Sequence, residues 1–210
     1  MALQNRIDPF GKIIRTMARG TLMGNRGILH DDHRRIVRPF AGKAWITCEL
    51  SFKRRKREIM APDRYTELFF LDEATAFSAG HRPCFECRRQ QATIFKKFWL
   101  KGNPGFQCND KTLISHIDHI LHQERLGAKR EKIIFEEDRE RLVNGAFVVF
   151  ERDAYLYWNG LFHLWSPFGY DRATNLPGKN FNVLTPGSIV NAFRAGYVPQ
   201  TESHLKTNVR

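Results

Sequence analysis

The 210-residue chain has no apolar run approaching the roughly 18 residues that a membrane-spanning helix requires, which excludes that element. Residues 1–16 scatter charges where a secretory signal would carry an apolar core, so the expected compartment is the cytosol, with no membrane partner. Cysteine is scarce, at Cys48, Cys84, Cys87 and Cys108 only. Without an export signal these read as thiols or metal ligands and not as disulfides. Repeats and low-complexity tracts are absent, which excludes solenoids and repetitive disordered arrays. What is present suffices for a buried core, since 42% of residues are hydrophobic and 12% aromatic.

Acidic residues are the minority, 22 against 34 Lys and Arg, for a net charge of +12. The imbalance is local. Residues 1–60 hold 14 basic and 5 acidic side chains, and so carry nine of the twelve excess charges. Two clusters stand out, Arg34, Arg35 and Arg38, then Lys53, Arg54, Arg55, Lys56 and Arg57. A concentrated basic face is what polyanion binding needs, because each neutralised phosphate releases counterions. Nucleic acid is the expected partner, DNA ahead of RNA, with Arg82, Arg88 and Arg89 added to Lys53–Arg57 as phosphate contacts.

Residues 1–43 show no clear period and contain several glycines, so they read as loop-rich with one short helix. From Trp45 to Lys53 the chain alternates, placing Ile46, Cys48, Leu50 and Phe52 on one face of a strand. Thr66 to Leu71 reads as another strand. Asp72 can cap a helix over Glu73 to Ala79 that Gly80 ends. Pro83 opens a helix to about Leu100, burying Ile94, Phe95, Phe98 and Trp99. An amphipathic helix over Leu113 to Leu126 turns Leu113, Ile117, Ile120 and Leu121 inward, and the charge-rich residues 128–144 read as a further helix. Strands follow at 146–151, 154–158 and 161–165. The last two flank Asn159-Gly160, a hairpin signal because both turn positions require positive φ. Their aromatic side chains read as core packing. Thr185-Pro186 opens a final helix with Ile189, Val190 and Phe193 inward, closed by Gly196. The fold class is α+β: a small metal-bearing strand-and-helix N-terminal half, residues 1–111, packed on a helix pair, then residues 112–210 with a small antiparallel β-rich half.

The most chemical segment is Gly80-His81-Arg82-Pro83-Cys84-Phe85-Glu86-Cys87-Arg88-Arg89. Two cysteines spaced by two residues at a helix start turn their sulfurs to one side, and thiolates so placed suit zinc. Cys48, facing the packed side of its strand, is the expected third ligand. For the fourth, His81, His30, His33 and Cys108 compete, with His81 taken forward. Residues 68–88 resemble the second half of the metal-binding domain of the Ada DNA-repair methyltransferase family. There an aromatic strand, a short helix and a Gly-aromatic-Arg-Pro-Cys-x-x-Cys turn carry half of a four-cysteine zinc site. The resemblance covers about a tenth of the chain and implies zinc on Cys84 and Cys87 in a module that touches DNA. Two departures stand: one upstream cysteine, Cys48, in place of a pair, and His81 where the family has an aromatic residue. The whole chain also resembles bacterial proteins to which no activity is attached.

A second constellation runs from Ser115 to Arg125. On a helix Asp118, His122 and Arg125 fall on one face at i, i+4 and i+7. Such a face reads first as an exposed polar surface. If the protein is an enzyme, His122, Glu124 and Arg125 are the expected catalytic residues of a metal- or histidine-dependent hydrolase or nuclease. The leading expectation is a zinc-binding, DNA-associated protein with a repair or processing role.

Overall fold

A computed structural model describes residues 2–54, 58–201 and 205. The first sheet takes strands β1 (Gln4–Ile7), β2 (Ile13–Arg15), β3 (Leu22–Asn25), β4 (Ile46–Cys48) and β5 (Leu68–Phe70). Helix α1 (Glu73–Ser78) and the two-residue strand β6 (Arg82–Pro83) follow. The sheet order is β2-β1-β5-β3-β4-β6, with β1–β5 and β4–β6 parallel. Helices α2 (Arg89–Gly102) and α3 (Ile114–Arg125) come next. The second sheet holds β7 (Phe135–Asp138), β8 (Phe147–Phe150), β9 (Asp153–Trp158), β10 (Leu161–Ser166), β11 (Gly169–Tyr170) and β12 (Asn180–Val183). Its order is β11-β10-β9-β8-β12-β7, antiparallel throughout, and α4 (Gly187–Arg194) closes the fold. The architecture is thus α+β, as the sequence pattern predicts.

Helices form a layer of their own. Phe77 of α1, Phe95 and Trp99 of α2, Ile117 and Leu121 of α3, and Ile189 and Phe193 of α4 make one buried cluster. Ala74 of α1 packs with Phe147 and Leu156 of the second sheet, while Ala76 packs with Leu68 and Phe70 of the first. Helix α1 therefore touches both sheets, and its polar groups are satisfied from afar. Asp72 accepts from the Thr75 amide at 2.8 Å, the cap expected of it, and from the Tyr170 hydroxyl at 2.7 Å. Trp165 Nε1 donates to Thr75 Oγ1 at 3.1 Å, and the Tyr197 hydroxyl donates to Glu73 at 3.0 Å. The aromatic C-terminal strands so bury apolar surface and supply donors to the α1 region.

Several expectations need correction. Residues 1–43 are loop-rich as expected, but among the described residues they hold three short strands and no helix. In β1 the inward positions are Asn5 and Ile7, so a buried polar residue breaks the apolar alternation. In β3, Leu22, Met23 and Gly24 are all buried, and a strand covered on both faces shows no period of two. The strand at Cys48 stops there, leaving Leu50 47% exposed. Residues 128–144 yield β7 and a short 3-10 turn, not a helix. β7 is an edge strand paired only with β12, and the exposed positions of such a strand tolerate Glu136 and Asp138. Leu113, expected inward, precedes α3 and is 74% exposed, and Ile94 is exposed as well. The hairpin forms as predicted, with Asn159 at φ 51° and Gly160 at φ 80°.

Candidate metal centre

Strand β4 delivers Cys48 at its C-terminal end, and parallel pairing with β6 carries the chain directly into Cys84. Pro83 continues this ladder, and the Cys84 amide donates to the Thr47 carbonyl at 2.9 Å. This pairing holds residues 82–84 extended, so the helix expected to start at Pro83 starts at Arg89. Cys84 to Cys87 form a tight turn closed by the Arg88 amide on the Cys84 carbonyl at 3.0 Å. Backbone amides then point at sulfur: Glu86 N donates to Cys84 Sγ at 3.3 Å.

The sulfurs of Cys48, Cys84 and Cys87 all lie within 4.8 Å of one another, and among the described residues this is the one such group. Thiolates about 2.3 Å from a tetrahedral zinc sit roughly 3.8 Å apart, so the cluster fits such an ion with small side-chain adjustment. The three sulfurs also share protons. Accepting the Cys48 S–H, helped by the Cys87 and Glu86 amides, pushes the Cys84 thiol down to about 5 against the opposing effect of burial. Cys48, the donor, is pushed up, first by that bond and then by burial. Burial also raises Cys87, offset by a hydrogen bond from the Glu49 backbone. A cation bound there would displace the thiol protons that the three sulfurs share.

The knuckle is braced by charges turned inward. Arg82 makes a bidentate pair with Asp118 of α3, both contacts at 2.7 Å. Arg88 pairs with Glu73 at 2.9 Å and Glu49 at 3.2 Å, and donates to Thr47 Oγ1 at 2.9 Å. Arg82 and Arg88, expected as phosphate contacts, are 5% and 1% exposed and committed to these carboxylates. Arg89, Lys53 and Arg54 are exposed, and Arg55, Lys56 and Arg57 lie outside the described residues.

His81, the expected fourth ligand, is placed elsewhere. Its ring packs against Phe70 at 4.6 Å and Trp45 at 5.3 Å, and its Nε2 accepts from Arg26 Nε at 3.2 Å. A guanidinium can only donate, so His81 is neutral with its proton on Nδ1. Of the other candidates, His30 bonds Thr66 Oγ1 at 2.6 Å, and Cys108 lies against the Phe106 carbonyl.

The helix residues also part company. Glu124 turns to α4, accepting from the Ser188 amide at 3.1 Å and from its hydroxyl. His122 and Arg125 stay together at 3.2 Å, beside Trp45 and Phe40. Asp118 and Arg125 are buried, so the face that reads as a polar surface is packed inward. Glu73, Thr47 and Asp118, which support the knuckle, carry no spacing signal toward it in the sequence. No protein-family model, curated protein sequence or solved structure matches the chain.

Proposed function

We propose that the protein binds zinc through Cys48, Cys84 and Cys87, and that the metal is structural, in an Ada-like knuckle beside a basic surface that engages DNA. The observation that supports it best is the three-sulfur cluster, assembled from β4 and the turn after β6. A cation there would tie that strand to the start of α2 and fix the segment that follows Cys48, including the exposed Lys53 and Arg54. The nine excess charges of residues 1–60 support the nucleic-acid part of the reading. Elemental analysis of purified protein is expected to find about one zinc per chain. Replacing Cys84 and Cys87 together by Ser is expected to remove zinc and lower the melting temperature. Unchanged metal content in that variant would sink the zinc assignment. Duplex DNA binding is expected to weaken steeply between about 50 and 200 mM salt. A flat salt response, or no binding, would remove DNA from the reading.

A further inference from the structure

A cavity of about 410 Å³ opens where the β1–β2 turn, the Pro39–Trp45 segment and the chain after α3 meet. Phe10 and Phe40 give it flat apolar walls, and Trp45, itself 3% exposed, backs the cations that line it. Five cations line it, Lys12, Arg26, Arg125, Arg130 and Lys132, against one acid, Glu131. Such an excess around one partly buried cavity calls for an anionic occupant.

The innermost cations are held by neutral groups. Arg26 is 2% exposed; its Nη1 donates to the Gly11 carbonyl at 2.9 Å and its Nε to the neutral His81. Its Nη2 is buried without a hydrogen-bond partner, as is Nε of Arg125. Arg125 donates to the carbonyls of Gly80, at 2.6 Å, and Lys43. Lys132 spends its ammonium on the Ser78 carbonyl. Both guanidinium groups rest on the Trp45 ring, 3.8 and 4.1 Å from its centroid. Gly80 permits this approach, since at φ 82° a Cβ there would meet Arg125 Cδ at 2.7 Å. The acids nearby are few: Asp118 gives both oxygens to Arg82, and Asp8 accepts the Lys12 amide. Burial, then mutual repulsion, drives Arg26 down to about 9 and Lys132 down to about 7 against the weaker pull of Asp8, and burial takes Arg125 to about 9 against that of Asp118.

We propose that this cavity binds an organic phosphate monoester, its dianionic head met by Arg26, Arg125 and Lys132 and its flat body lying against Phe10 and Phe40. The volume suits a ligand the size of one nucleotide. A single carboxylate would leave most of the charge uncompensated, whereas a phosphate dianion accepts from several guanidinium and ammonium donors at once. The site is independent of the metal and nucleic-acid readings.

Calorimetric titration of the full chain with phenyl phosphate, AMP, inorganic phosphate, benzoate and adenosine tests it. Phenyl phosphate and AMP are expected to bind at about 100 µM or tighter, and the other three about ten-fold more weakly or worse. Arg26→Met is expected to weaken phenyl phosphate about ten-fold or more while shifting the melting temperature of the ligand-free protein by no more than about 4 °C, because it removes a buried charge that no carboxylate contacts directly. Should that variant not fold, Arg130→Ala, at an exposed position on the rim, is expected to weaken the same probe. Failure of both esters to bind overturns the proposal. So does benzoate binding as tightly as phenyl phosphate, or inorganic phosphate matching it, which would leave the apolar walls without a role.

Discussion

Arg82 and Arg88 beside the cysteine knuckle, and Arg26 and Arg125 around Trp45, are all nearly free of solvent, yet only the first two meet carboxylates directly. Arg82 has both oxygens of Asp118, and Arg88 has Glu73 and Glu49. Arg26 and Arg125 have carbonyls, a neutral imidazole and the face of an indole. A buried cation with its counterion in the chain completes the fold. One without it lowers stability until something else supplies the negative charge. The difference separates a brace from a binding site, although both are built from arginine.

That contrast can be broken at its strong end first. Asp118→Asn leaves Arg82 buried and unpaired, and is expected to cost ~3–5 kcal/mol in urea denaturation, loosening the knuckle with it. A loss below ~1 kcal/mol would show that the pair is no brace.

The pocket should respond to pH instead. Lys132 titrates near 7 in the folded chain, pushed down by burial and then by Arg26 and Arg125, against about 10.4 when unfolded. Between these values the unfolded chain binds the extra proton, so the Lys132 contribution makes stability rise from about pH 7 to about pH 10. Thermal melts of the ligand-free protein should show that slope, and Lys132→Met should flatten it. An equal slope in both proteins would mean that the ammonium is not under strain.

Two smaller effects calibrate the comparison. Gly160→Ala, in the Asn159-Gly160 turn far along the chain from either cluster, meets open space but sits at φ 80°, and is expected to cost about 1 kcal/mol. Arg26→Met is expected to change ligand-free stability by less than about 1 kcal/mol in either direction. A loss resembling that of Asp118→Asn would make Arg26 a brace like Arg82.

Reading the sequence succeeded where chemistry is local. The Asp72 cap needs only the amide three residues on, and the hairpin only two residues that accept positive φ. The paired Cys84 and Cys87 carry their own spacing, whereas the alternation around Cys48 fails on both sides of that buried thiol, with Thr47 buried and Leu50 exposed. Long-range choices were not legible. Parallel pairing of β4 with β6 keeps Pro83 out of a helix, and whether Arg82 faces solvent or Asp118 depends on where α3 packs.

The sequence by itself therefore determined the α+β pattern, the local turns and caps, the concentration of positive charge in residues 1–60, and the cysteine pair. These depend on neighbours within a few residues or on simple counts. Only the tertiary structure decided which arginines are neutralised, that His81 serves Arg26 and not the sulfurs, and that Arg26, Arg125 and Lys132 converge at one cavity. The reason is physical: the energy of a buried charge depends on what lies within a few ångströms of it, and those neighbours come from segments up to a hundred residues away.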